Sequence, residues 1–282
     1  MSIMTAVHRH VLIWPILASL SGIFAGAAST CAQEATSSSA SRGVETSAST
    51  NSPALTQDED ITWRKLPRRV LHDQKDIWLF PAQLAKGHHW VPTLVTVGGT
   101  AGLIVADPHV MPYFRRHSGN FDDINDVFDG PITTAEVAIV PVTIMIAGYL
   151  RHDSYAVKTG LLAGETYVDT AIVDLAIKAI TRRKRPSDVA PGAPFNDTFF
   201  SGGKSPFKGS SFPSGHAAGA FSIATVISRR YSRHRWVPWA AYGFATAISF
   251  SRVTTSAHFP SDVFLGAVLG YAIARFEVLR PH

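Results

Sequence analysis

From residue 91 onward the chain alternates apolar runs with short polar connections. The runs extend over Val91 to Ala106, Thr134 to Leu150, Ala156 to Ile180, Ser214 to Ser228, Val237 to Phe250 and Ser261 to Phe276. No alternating apolar–polar stretch of comparable length accompanies them, so the pattern predicts helices rather than strands. Gly98, Gly99, Gly102, Gly160, Gly164, Gly219, Gly266 and Gly270 fall inside these runs, as suits helices whose backbones approach closely. There is no internal repeat. The expected fold class is therefore all-α, a single bundle of about six helices within a domain over residues 90–282.

The first ninety residues read differently. His8, Arg9 and His10 precede an apolar run from Val11 to Ala28, followed by Ser29, Thr30, Cys31 and Ala32. This is the layout of a secretory signal peptide over residues 1–32, with Ala27, Ala28 and Ala32 as alternative cleavage points and an uncleaved membrane anchor as the competing reading. Residues 33–60 are rich in Ser, Thr and Ala and nearly free of large apolar groups. Such a stretch cannot bury enough surface to offset its ordering entropy, which predicts a disordered linker. Residues 61–89 combine a basic run, Arg64 to Arg69, with the apolar patch Ile77 to Phe80. An amphipathic segment docking on the bundle or on a membrane surface is expected there.

Composition narrows the setting. A hydrophobic share of 46% is enough for a sizeable core, while 17% charged residues is low for a soluble surface. The net charge of +5 favours acidic partners but cannot by itself choose between phosphates, anionic lipid and nucleic acid. A single cysteine, Cys31, excludes an internal disulfide.

Most of the apolar runs lie at or below the roughly 17–25 residues that a membrane span requires. The third also carries Glu165, Asp169, Asp174 and Lys178, which in lipid would have to face the bundle interior. The connection Arg229 to Arg235 is strongly basic, and the one holding Asp122, Asp123, Asp126 and Asp129 is acidic. In a six-span bundle the basic loop is cytoplasmic and the acidic one outside. That orientation puts residues 63–76 inside, whereas a cleaved signal peptide puts them outside, and the two signals conflict. The pattern favours membrane association, with a soluble bundle in the cell envelope as the alternative.

Three short motifs carry the chemistry. Lys178 and Arg185 are seven residues apart, a spacing that returns to one helix face, and Pro186 biases Arg185 out of the helical region. A guanidinium fork and a flexible ammonium together suit phosphate oxygens, though taken alone this run reads better as a solvated basic helix end. Pro213-Ser214-Gly215-His216 stands where a helix begins. Ser214 can cap it, Gly215 admits a close ligand, and His216 would stand beside an anion bound at the free N–H groups. Ser251-Arg252 closes the fifth helix, and His258 to Asp262 opens the sixth with Pro260 in its first turn. Spaced by four, Asp262 can hold one nitrogen of His258 while the other faces the phosphate.

The pattern Lys-x6-Arg-Pro, Pro-Ser-Gly-His, Ser-Arg-x5-His-x3-Asp resembles the type 2 phosphatidic acid phosphatase and vanadium haloperoxidase superfamily, with all three blocks complete and in order from Lys178 to Asp262. The resemblance implies that His258 is the nucleophile of a phosphohistidine intermediate, that Asp262 orients it, and that His216 protonates the leaving alcohol and then activates water. It assigns Lys178, Arg185, Arg252, Ser214 and the Gly215 amide to the phosphate cradle. It implies no metal and no cofactor, with vanadate as an inhibitor or, in the haloperoxidase branch, a prosthetic group. The implied activity is a phosphatase acting on a phosphomonoester or diphosphate of a lipid or a small ester. Nucleic acid is not an expected partner. The implied place is the cell envelope, with the site facing the periplasm from a membrane or free within it. A vanadium haloperoxidase and a non-catalytic phosphate-binding envelope protein are the competing readings. The loop Phe195 to Phe212 is the candidate wall for substrate choice.

Overall fold

The structure, a computed structural model, describes residues 61–128, 132–202 and 210–280. The leader expected over residues 1–32 and the linker over 33–60 lie outside the described residues, as do residues 203–209 of the candidate specificity loop. Eight α-helices follow one another: α1 (Leu66–Ala85), α2 (Trp90–Arg116), α3 (Asp122–Phe128), α4 (Ile132–Leu150), α5 (Ser154–Thr181), α6 (Gly215–Arg230), α7 (Trp236–Thr254) and α8 (Pro260–Ala272). A π-helical stretch, Ile273–Val278, prolongs α8. No strand occurs among the described residues.

The all-α expectation therefore holds, and the helix count of about six does not. The six apolar runs became α2 and α4 to α8. The additions are α1, in the segment expected only to dock, and α3, in the acidic connection. Neither contains a long apolar run, so hydropathy alone did not single them out. Helix α2 also runs ten residues beyond the expected end at Ala106, through Pro108 and Pro112. Each proline removes a helical hydrogen bond and ordinarily marks a boundary. Here the chain is held by tertiary contacts, with Asp107 and Met111 wholly buried in this part of α2.

Helix α6 forms the centre. From Ala217 to Ser228 every residue except Phe221 is buried, and α5, α7 and α8 pack around it. Helix α4 covers α5, while α2 lies along α8. The closeness of α6 and α8 follows from glycine. A Cβ on Gly270 would stand 2.0 Å from the Ala218 carbonyl oxygen, and one on Gly266 would stand 2.4 Å from that of Ser214. No larger residue fits either place without moving a backbone.

Local signals fix the helix ends that matter. Asp153 caps α5 by accepting from the N–H groups of Tyr155 (2.9 Å) and Ala156 (3.1 Å). At its other end Arg182 adopts the left-handed region (φ 42°) and breaks the helix. Ser214 caps α6 through the Ala217 N–H at 3.4 Å. Pro260 occupies the first turn of α8, and the Asp262 carboxylate reaches back to the Phe259 N–H at 2.8 Å.

Helix α2, at 27 residues, is long and apolar enough to cross a membrane. Its residues Val91, Val95 and Val105 are each about two-thirds or more exposed. The other long helices do not meet that test. Helix α1 lies against α5 through polar contacts: Arg69 Nε donates to Glu165 at 2.8 Å, and Gln74 Nε2 donates to the Asp169 carboxylate at 2.9 Å. Glu165 and Asp169 thus face protein rather than lipid.

Substituting Gly270→Ala should destabilise the fold by about 1–3 kcal/mol through overpacking. Gly243→Ala, at an exposed α7 position with nothing within 4 Å, should leave stability unchanged or raise it slightly. Chemical unfolding of the two variants beside the parent checks both, and equal effects would contradict the proposed α6–α8 contact.

Candidate active site

Four helix termini meet at one end of the bundle: the end of α5, the start of α6, the end of α7 and the start of α8. A backbone bond ties two of them, with Ser214 N–H donating to the Asp262 carbonyl at 2.9 Å. The imidazoles of His216 and His258 are consequently close, their ring centroids 6.3 Å apart and roughly edge to face.

His258 is buried, and its Nδ1 lies 2.7 Å from the Ser211 carbonyl oxygen. A carbonyl can only accept, so this bond assigns the proton to Nδ1 and leaves Nε2 with its lone pair. The Asp262 carboxylate stands 3.6 Å from the same Nδ1. At that distance it acts on the ring through its charge, while the carbonyl makes the shorter contact. The sequence suggested that the carboxylate would supply that hydrogen bond. Ser211 is 47 residues from His258 in the chain, too far for spacing to reveal.

Lys178 sits in the last turn of α5 and donates to Asp174, one turn earlier, at 2.6 Å. The pair is built against α6: a Cβ on Gly215 would lie 3.0 Å from Asp174 Oδ2 and 3.1 Å from Lys178 Nζ. Glycine at this position lets the amine reach the α6 N-terminus. Arg185 is exposed and extended (φ −74°, ψ 153°), as Pro186 requires. Helix α5 has ended at Thr181, so the seven-residue spacing does not place Lys178 and Arg185 on one helical face. Both nevertheless act through their charge on His216 and His258. Arg252 is buried and turned toward Ser251, whose Oγ accepts from Nε at 3.2 Å, and toward the Phe128 carbonyl at the end of α3.

These charges act on both histidines. Burial pushes His216 down from 6.5 to about 3, reinforced by positive charge on His258, Arg252, Lys178 and Arg185. Burial also lowers His258, and Asp262 partly counters it. Burial raises Asp174, with Lys178 working in the opposite sense. Both imidazoles are therefore neutral at neutral pH.

The sequence reading passed over Arg183, treating it as one more charge in a basic run. It is 1% exposed. Its Nη1 donates to Asp262 Oδ1 (2.6 Å) and Ser261 Oγ (2.7 Å), its Nη2 to Asp107 Oδ2 (2.7 Å), and its Nε to Thr198 Oγ1 (3.0 Å). Asp174 carried a readable signal, its four-residue spacing to Lys178. Asp107 and Thr198 carried none.

Residues 159–281 match the family model of the PAP2 superfamily. Over 64 residues the chain is 41% identical to the lipid A 1-phosphatase of Porphyromonas gingivalis, a stretch that covers 22% of this chain and 14% of that protein's length. Among solved structures, a transmembrane PAP2 type phosphatidylglycerolphosphate phosphatase from Bacillus subtilis aligns over 72% of this chain and 92% of its own, with 18% identity and a TM-score of 0.33.

The depressed His216 value has a consequence for stability. The unfolded chain takes up a proton near pH 6.5 that the folded chain excludes until about pH 3. Stability should therefore fall as the pH drops below 6.5, by about 2 kcal/mol at pH 5 from this group. Unfolding of the parent and of His216→Asn at pH 7 and pH 5 measures it. A parent no more acid-sensitive than the variant would contradict the buried, neutral state of His216.

Proposed function

We propose that this chain, whose residues 159–281 match the PAP2 superfamily model, is a phosphatase that hydrolyses a phosphomonoester or diphosphate through a phosphohistidine on His258. The observation that carries this reading is the Nδ1 contact of His258 with the Ser211 carbonyl. It leaves Nε2 unprotonated close to a second histidine and to the α6 N-terminus, with Lys178, Arg185 and Arg252 acting on the pair through their charge.

The reaction balances with these groups alone. The Nε2 lone pair attacks phosphorus, the bond to the leaving oxygen breaks, and His216 gives that oxygen its proton. Water then attacks the phosphohistidine, His216 takes a proton from it, and the P–N bond breaks. A bound phosphate dianion supplies the negative charge that lets His216 hold a proton before transfer. Lys178, Arg185 and Arg252, with the Gly215 amide at the start of α6, offset the charge that builds on the equatorial oxygens. Ser214 shapes that N-terminus by capping it. The mechanism calls for no metal, and vanadate, as a phosphate mimic, should inhibit.

A lipid as the phosphate carrier is supported by the lipid A 1-phosphatase match and by the exposed apolar length of α2. Membrane association within the cell envelope, with the site on the outer side, follows from that reading and from the basic α6–α7 connection. A soluble periplasmic phosphatase acting on small esters is the other reading, favoured by the signal-peptide layout of residues 1–32.

His258→Ala should lower turnover by at least 10⁴-fold with the fold intact, since no other group supplies the nucleophile. Quenched parent enzyme should carry an acid-labile, base-stable phosphate that the variant lacks. Near-normal activity in His258→Ala would remove the assignment. Assaying soluble and membrane fractions against one lipid phosphate and one water-soluble monoester separates the two substrate readings, and activity confined to the soluble pool would reject membrane association.

A further inference from the structure

Asp107 belongs to α2, outside the stretch that matches the family, yet it is wholly buried at the edge of the site. Its Oδ2 accepts from Arg183 Nη2 at 2.7 Å and from Ser261 Oγ at 2.5 Å, and its Oδ1 accepts from the Ser261 N–H at 3.3 Å. Arg183 in turn binds Asp262, whose carboxylate stands beside His258. The guanidinium is held in position by the Phe259 ring, 3.8 Å from its centroid, and by Phe199 at 4.5 Å.

One guanidinium here serves two carboxylates. With Arg183 and Asp262 alone, the pair would be neutral and Asp262 would have little charge left for the imidazole. Burial raises the Asp107 carboxyl while its bonds to Ser261 and Arg183 hold it down, and in its ionised form this second carboxylate brings the group to a net charge of −1. Charges buried this close interact far more strongly than they would in water.

We propose that Asp107 is a positioning residue for phosphoryl transfer: by sharing Arg183 with Asp262 it fixes the Asp262 carboxylate and keeps a net negative charge beside His258. This rests on the phosphatase reading for its catalytic consequence, but the charge effect on His258 does not. When Nε2 forms its bond to phosphorus the ring becomes cationic, and the extra carboxylate stabilises that charge. Removing it should make the ring both harder to protonate and less able to attack. The other charged or titratable groups facing His258 are Asp262 from α8, Lys178 and Asp174 from α5, Arg185 after α5, His216 from α6 and, acting through His216, Arg252 from α7. Those facing Asp107 are Arg183 and Asp262.

The test uses Asp107→Asn, which keeps the side-chain size and removes the charge, in the full-length protein. The midpoint of His258 is followed by NMR with carbon-13-labelled histidine, its signal identified by loss in His258→Ala. The expected result is a fall of about one pH unit in that midpoint, about tenfold lower kcat, KM within twofold, and an acidic limb of kcat/KM that moves to lower pH by the same amount. An unchanged midpoint in folded Asp107→Asn overturns the proposal, even if activity falls. Should that variant not fold, Asp107→Ser, which removes the same charge with a smaller polar side chain, is read in the same way. A parent without turnover on any phosphoester would reject the phosphatase reading, and the histidine titration would still decide the role of Asp107.

Discussion

A buried guanidinium sets the terms on which this end of the bundle can assemble. Arg183 cannot lose its charge, so every direction in which it donates must find an acceptor once water is excluded. The acceptors come from α2, from the loop that follows α5, and from the first turn of α8. None of these elements is adjacent in the chain to another. Satisfying one side chain therefore brings three distant segments together, and Asp262 is held in the process. Removing Arg183 itself would leave two carboxylates buried side by side without compensation, which costs far more than a surface pair is worth.

The same end concentrates positive charge around two neutral histidines, an arrangement suited to an anion. Cations beside an imidazole suppress its protonation, as does burial, and both operate on His216 and His258. Negative charge arriving with a ligand would offset the cations and bring His216 toward the range where it can carry a proton. The carbonyl of Ser211 contributes by a different route, since it fixes which nitrogen bears hydrogen and does so without adding charge.

Close packing makes the convergence geometrically possible. Helices α6 and α8 touch backbone to backbone at Gly266 and Gly270, and this draws their N-termini together at Ser214 and Asp262. With larger residues the axes would separate, and His216 and His258 with them. Helix α1 uses another means of attachment, with Arg69 and Gln74 anchoring it to the buried acids of α5. That explains why two carboxylates, Glu165 and Asp169, persist in a helix otherwise rich in apolar residues, while the third, Asp174, is paired with Lys178.

Much of this protein was legible in the sequence because the determining interactions are local. Apolar runs specified six of the eight helices, and short patterns at Ser214 and Pro260 specified where α6 and α8 begin. The three motifs named the residues gathered at the site, and Pro186 dictated the extended backbone of Arg185. Helices α1 and α3 escaped notice because they lack long apolar runs, and the continuation of α2 past Pro108 escaped because tertiary contacts overrode a local breaking signal. The acceptor for His258, the burial of Arg183 and the part played by Asp107 were decided only by the folded chain. Asp107 and Arg183 are 76 residues apart, and no periodicity relates such positions. The demand that a buried charge be matched becomes visible only when the fold shows which charge is buried.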